Sequence, residues 1–104
     1  MPIQIYIIVP NQESVTNWFH TVLIWSDSED NARQNAESIT PGQEGRDRSP
    51  LAENDLTIFQ DPTRSSCRAL DLSEYEIIQY DNDSVQIRYD GNVYNLNENE
   101  SVII

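Results

Sequence analysis

The most regular hydrophobic pattern in the chain lies in its first ten residues. Residues 3–9 carry isoleucine or valine at every odd position, and Pro10 closes the run. This two-residue period with β-branched side chains predicts a strand. Residues 18–25 are largely aromatic or β-branched on both faces, which predicts a second strand that is covered on both sides and pairs back on the first.

A helix is predicted after this strand pair. Ser26 or Asp27 can cap its N terminus, and the acidic residues that follow suit the positive end of the helix dipole. Residues 40–42 contain the Pro-Gly signal that ends it, and the polar stretch beyond predicts a mobile surface loop over 41–55. Three small or apolar residues at helical spacing form the stripe that we expect to lie on the sheet, namely Ala32, Ala36 and Ile39.

The pattern is weaker between this loop and residue 72. Residues 56–59 form a short apolar piece that ends at Asp61-Pro62. Residues 66–72 predict another strand. Its inward-facing side chains are expected to be Cys67, Ala69 and Leu70.

The last third of the chain predicts a β-meander. Strands are expected over 74–80, 84–89 and 93–96, with an edge strand over 102–104. Asp90-Gly91 is the strongest hairpin signal. Val85, Ile87 and Tyr89 share one face of the middle strand and polar residues share the other, so one face of the sheet should be in water.

The predicted fold is therefore of the α+β class. A β-β-α unit followed by a C-terminal β-meander would form an antiparallel sheet with one helix packed on a face. Residues 1–104 would make a single small acidic domain.

Charge is the compositional feature that bears most on function. Eighteen acidic residues stand against six basic ones, all arginine, and the net charge is -12. Residues 71–104 hold eight of the acids and one arginine, which is a net -7. Such a surface repels phosphate backbones and anionic lipid, so we expect no direct binding to nucleic acid or membrane. It favours a basic protein partner instead.

Catalytic chemistry has few candidate residues. The absence of lysine removes Schiff-base catalysis and the lysine of phosphate-binding loops. His20 and Cys67 are the only histidine and cysteine, so a zinc site would need carboxylates or a second chain. A Cys67–His20 nucleophilic pair is one interpretation, and a buried thiol beside a strand histidine is the simpler one. We therefore predict no enzymatic activity, no cofactor and no bound metal.

The leading hypothesis is a non-enzymatic inhibitor that mimics nucleic acid. Its carboxylates would occupy the basic surface of a nucleic-acid-handling partner, as in viral counter-defence proteins of the anti-CRISPR type. The lone cysteine fits the cytoplasm, which is that of the host if the protein is viral. The candidate partner-binding residues in the acidic third are Glu74, Glu76, Asp81, Asp83, Asp90, Glu98 and Glu100. A second patch around the predicted helix consists of Asp27, Glu29, Asp30 and Glu37.

The alternative hypothesis is a small accessory or assembly subunit. It would bind through a sheet edge or an apolar patch, at residues 3–9 or 102–104, and its acidity would serve only solubility. Binding that does not respond to salt would distinguish it from the inhibitor. A homodimer is compatible with either hypothesis.

Overall fold

In the part of the chain that the structure describes, the protein combines strands and one short helix, as the α+β prediction requires. The computed structural model describes residues 4–11, 19–37 and 57–104. The predicted helix stop at 40–42 and the predicted loop over 41–55 lie outside these residues. In chain order the described elements are β1 (Ile5–Pro10), β2 (Val22–Trp25), α1 (Glu29–Asn35), the 3₁₀ helix η1 (Ile58–Gln60), β3 (Ser65–Ala69), β4 (Tyr75–Tyr80), β5 (Ser84–Tyr89), β6 (Asn92–Asn97) and β7 (Ser101–Ile103).

The strands divide into two antiparallel sheets, where we had expected one. The first sheet has the order β3-β1-β2-β7, and the second has the order β4-β5-β6. The predicted pairing of the first two strands is confirmed, with Ile5 opposite Trp25 and Ile8 opposite Val22. On its other side β1 pairs with β3. β1 is thus an interior strand, so residues 5–9 do not form the exposed edge that the alternative hypothesis had suggested.

The β1–β2 pair is apolar on both faces, and each face has its own core. The buried cluster on one face contains the helix residues and consists of Ile8, Phe19, Val22, Ile24, Ala32, Ala36, Ile58 and Phe59. The buried cluster on the other face contains the second sheet and consists of Ile5, Leu23, Trp25, Leu70, Tyr75, Val85, Ile87 and Leu96. The helix and the second sheet therefore cover opposite faces of the first sheet, and the fold has three layers.

The helix starts later than predicted. We expected a cap at Ser26 or Asp27, but Ser28 is the N-cap, and its Oγ accepts the N–H three residues later at 3.1 Å. The reason is that strand pairing continues one residue past β2, because the N–H of Ser26 donates to the carbonyl of Gln4. α1 then ends at Asn35.

β2 is shorter than the predicted strand over 18–25. Phe19 and His20 precede it without joining the sheet. The Phe19 ring packs edge-on against Phe59, with centroids 5.8 Å apart. The aromatic residues of this run therefore fill the helix-side core as well as forming strand.

The structure differs most from the prediction over residues 56–72. The apolar piece ends in the 3₁₀ helix η1, and the following strand is β3. Leu70 is buried and Cys67 is partly buried, as expected. Ala69 lies on the same face of β3 as Cys67 but is exposed, so the prediction that it would be buried is wrong. Ala69 lies opposite Tyr6 in β3, which is an edge strand of the sheet. A side chain at the edge can stay exposed to water even when it points to the face that carries the core.

The C-terminal meander is confirmed. Val85 and Ile87 are buried, and the opposite face of β5 is polar. Asp90 and Gly91 both have positive φ, 51° and 81°, as a two-residue type I′ turn requires. The predicted edge strand over 102–104 is present as β7, at the edge of the first sheet.

Arg33 ties the helix to η1 and β3. It is only 8% exposed. Its Nη1 donates to the Phe59 carbonyl at 3.2 Å and to Ser65 Oγ at 2.9 Å, and its Nη2 donates to the Ser65 carbonyl at 3.3 Å. Its Nε reaches Glu29 at 3.4 Å. Ser65 Oγ in turn donates to the Ile58 carbonyl at 2.7 Å. Three segments thus depend on one buried guanidinium.

Replacing Arg33 with methionine should lower the free energy of unfolding by about 2–4 kcal/mol, because buried acceptors would lose a charged donor. The matched control is Arg68→Met, which removes an arginine whose own side chain is 57% exposed, and its effect should be much smaller. Urea unfolding followed by tryptophan fluorescence measures both. Equal losses for the two variants would show that Arg33 is not a structural tie.

Candidate functional site

The eleven carboxylates predicted to bind a partner do not form one surface. All are exposed except Glu74, which is partly buried. Three are compensated by arginine in the pairs Glu29–Arg33 at 3.4 Å, Glu74–Arg68 at 2.8 Å and Glu76–Arg88 at 2.9 Å. Because arginine already neutralises these three carboxylates, they would attract a basic partner only weakly.

The Glu74–Arg68 pair is a structural corner between β3 and β4. Arg68 Nη1 and Nη2 donate to the two carboxylate oxygens at 2.8 and 2.9 Å, and the N–H of Asp71 donates to one of them at 3.0 Å. The hydrogen bond from Arg68 is the main cause that lowers the pKa of Glu74. Its carboxylate is therefore committed within the protein.

Six other carboxylates lie where several chain segments meet at one end of the molecule. We call this group the acidic end. In the described part of the chain none of its members forms an ion pair. Its residues are Asp27, Glu37, Asp81, Asp83, Glu98 and Glu100.

The turn between β4 and β5 and the turn that leads from the second sheet into β7 contribute four members of the acidic end. The β4–β5 turn carries Asp81 and Asp83, and the β6–β7 turn carries Glu98 and Glu100. The N–H of Glu98 donates to the carbonyl of Asp83 at 3.0 Å, so the two turns are in direct contact. Asn99 between the two glutamates has a φ of 62°, which makes the second turn tight.

The first sheet and the helix add the other two members. The N–H of Asn99 donates to the carbonyl of Trp25 at 2.8 Å, two residues before Asp27. Beyond the helix, the N–H of Glu37 donates to Ser101 Oγ at 2.9 Å, and the same hydroxyl donates back to the Glu37 carbonyl at 2.8 Å. Both residues thus lie on segments that contact the β6–β7 turn or the residue after it.

The two remaining candidates lie elsewhere. Asp90 is in the β5–β6 turn, at the end of the hairpin where Tyr75 lies opposite Tyr89. Asp30 is in the first turn of α1, where its carboxylate suits the helix dipole. The structure therefore brings together six of the eleven predicted residues, pairs three with arginine, and places Asp90 in the β5–β6 turn and Asp30 on the helix between Asp27 and Glu37.

A polar pocket of about 250 Å³ lies beside the acidic end, on the outer face of the second sheet. Gln86 belongs to the polar face of β5 that was predicted to lie in water, but the pocket itself was not predicted. The sequence does carry a signal for the pocket, because polar residues occupy alternate positions of β5 and β6. The strand register places these polar residues next to one another on one face of the sheet. The lining of the pocket consists of Gln79, Asp81, Ser84, Val85, Gln86, Asn95 and Asn97.

β4 is an edge strand with an apolar surface, which the sequence analysis also missed. Ile77 and Ile78 are each 41% exposed, and Tyr80 is 46% exposed. The register shifts between Ile77 and Gln79, so Ile78 lies in a β-bulge without a partner on β5. Successive side chains of a regular strand point to opposite faces, so Ile77 and Ile78 could not both pack in one core. This break in the alternation was the signal in the sequence that could have predicted an exposed apolar edge.

Cys67 is a weak nucleophile in this setting. It lies in β3, packed against the helix-side core. Burial raises its pKa to about 11, Glu29 adds to the effect, and Arg33 opposes it. The group is therefore a protonated thiol at neutral pH. His20, predicted to occupy a strand position, lies before β2 instead.

No helix within residues 4–11, 19–37 and 57–104 is long and apolar enough to cross a membrane. No group of three histidine, cysteine or acidic side chains in this part of the chain could hold a metal ion. No protein-family model, curated protein or solved structure matches the chain.

Cys67 should react with iodoacetamide at pH 7.4 about 100 times more slowly than a thiol of pKa 9, because two pKa units change the thiolate fraction by about that factor. The rate should keep rising up to about pH 11. Mass spectrometry of the alkylated protein across a pH series measures it. A rate that levels off below pH 9 would contradict this environment and would reopen the Cys67–His20 hypothesis.

Proposed function

We propose that the protein is a non-enzymatic acidic inhibitor whose acidic end occupies the basic, nucleic-acid-binding surface of a partner protein. The observation that carries the proposal is the grouping of six carboxylates without ion pairs in the described chain, while three of the other five candidates are paired with arginine. Grouped like charges repel one another and lower stability. Their grouping therefore supports a role in binding.

The proposed mechanism is competition with nucleic acid. Lysine and arginine side chains that contact phosphates in the partner would instead contact carboxylates on the acidic end. The field of a chain with a net charge of -12 would also draw a basic partner in and speed association. Both effects weaken as salt rises.

This mechanism suits a cytoplasmic inhibitor of the viral counter-defence or anti-CRISPR type, acting in the host if the protein is viral. Direct binding of nucleic acid or of an anionic membrane is disfavoured, because the acidic end repels phosphate. No cofactor takes part in this mechanism.

A second candidate function rests on the sheet edges. β4 exposes Ile77, Ile78 and Tyr80 at one edge, and β7 exposes Ile103 at another. An extended segment of a partner could pair with such an edge, which would make the protein an accessory or assembly subunit. The bulge in β4 disfavours this candidate, because bulges protect edges from pairing.

A capture experiment with two matched double variants tests the proposed function. Asp83→Asn with Glu98→Gln removes two charges from the acidic end, and Asp71→Asn with Asp90→Asn removes two exposed charges elsewhere. At 0.1 M salt, the first variant should lose about 5- to 20-fold in partner affinity and the second less than about twofold, because only the first removes carboxylates at the interface. Capture from a nuclease-treated lysate, followed by titration with the purified partner, provides the measurement.

Salt separates the two candidate functions in the same experiment. The screening length falls from about 10 Å at 0.1 M to about 3 Å at 1 M, so binding by the acidic end should be lost at high salt. A basic nucleic-acid enzyme that is retained after nuclease treatment and released at 1 M salt would support the inhibitor. Equal binding by the two variants, or a complex that resists 1 M salt, would favour the accessory subunit.

A further inference from the structure

The pocket on the second sheet presents hydrogen-bond acceptors to its opening. Gln86 Nε2 donates to Asn95 Oδ1 at 3.1 Å, and Asn97 Nδ2 donates to Glu100 at 3.1 Å. Each bond uses one of the two N–H groups of the amide, so Gln86 Oε1 and Asn97 Oδ1 remain as acceptors and each amide also keeps one donor. Asp81 adds a carboxylate to the lining. A ligand with several donors would therefore find both amide oxygens and a carboxylate to accept them.

The negative charges beside the pocket restrict the class of ligand further. Asp81 lines the pocket, and Glu100 is bonded to one of its walls. Both belong to the acidic end, whose members lack ion pairs in the described chain. An anion would be repelled here, and a neutral amide could donate to the carboxylates but would lack the charge attraction that a cation adds. A cation with several donors fits both the acceptors and the field.

The size of the pocket suits a side chain rather than a cofactor. A volume of about 250 Å³ is below the ~300–1,000 Å³ of ordinary small-molecule sites. The acceptors are spread over neighbouring strands, because Gln86 lies between Gln79 and Asn95 in the register. A guanidinium carries five donors in one plane and can address several such acceptors at once. An ammonium is a compact charge and cannot span them.

We infer that the pocket lined by Gln79, Asp81, Gln86, Asn95 and Asn97 is a socket for an arginine side chain of a protein partner. The inference rests on the proposed function for the source of that arginine. It deepens that function by naming one contact: an arginine that would otherwise meet a phosphate enters the socket, and the surrounding acidic end meets the other basic residues.

NMR titration of the full-length, ¹⁵N-labelled protein with N-acetyl-L-arginine amide tests the socket at constant ionic strength. The side-chain amide signals of Gln79, Gln86, Asn95 and Asn97 should shift together, with a dissociation constant on the order of 1–10 mM, since a single exposed charged contact is weak. N-acetyl-L-lysine amide should bind at least about threefold more weakly, and the uncharged citrulline analogue should give no saturable shift.

Matched variants locate the binding. Asp81→Asn should raise the dissociation constant about three- to fivefold, whereas Asp90→Asn makes the same charge change at the far end of the hairpin and should leave it unchanged. Gln86→Leu removes an acceptor without changing the net charge and should also raise the dissociation constant about three- to fivefold. Backbone spectra that match the wild type show that each variant is folded.

Several results would overturn the socket. These are the absence of shifts in the lining amides, equal binding of the lysine analogue, and equal effects of the two aspartate variants. Tighter binding of free L-arginine than of the capped form would overturn the assignment to a protein side chain. If capped arginine does not bind the pocket but partner capture still depends on Asp83 and Glu98, the arginine socket is wrong and the proposed function is retained. If capped arginine binds the pocket but partner capture resists high salt, the proposed function is wrong and the socket is retained.

Discussion

Burial of both faces of the β1–β2 strand pair is the constraint on which the rest of the structure depends. Ile8, Val22 and Ile24 need cover on one face, and Leu23 and Trp25 on the other. Such side chains contribute roughly 1.5–3 kcal/mol each when fully buried. One helix of seven residues can cover only one face. The meander must therefore fold across the opposite face as a second sheet.

This requirement also places the candidate site. The second sheet joins the first where Trp25 pairs with Glu98 in an isolated bridge and its carbonyl accepts the N–H of Asn99. The β6–β7 turn is thereby fixed at the end of β2, and the β4–β5 turn follows it through the Asp83 contact. Carboxylates from distant parts of the sequence then share one end. The packing of apolar residues thus arranges the charges on which the proposed function rests.

Local features of the fold were predictable, and features that depend on register were not. The strand at 84–89 and the Asp90-Gly91 turn follow from alternation and turn chemistry within a few residues. The ion pairs of Glu74 and Glu76 depend on strands that the sequence alone does not align. For the same reason the amide pocket was missed, and Arg33 was not recognised as buried because its partners lie 26 and 32 residues away.

Hydrogen exchange on the free protein and on its complex with the captured partner tests the central claim, that the acidic end is the binding surface. Backbone amides near this surface exchange more slowly when a partner excludes water and suppresses local opening. If the acidic end binds the partner, slowing is concentrated at residues 81–85 and 97–100. Slowing confined to β4, at residues 75–80, with the acidic end unchanged, would contradict it and assign binding to the sheet edge.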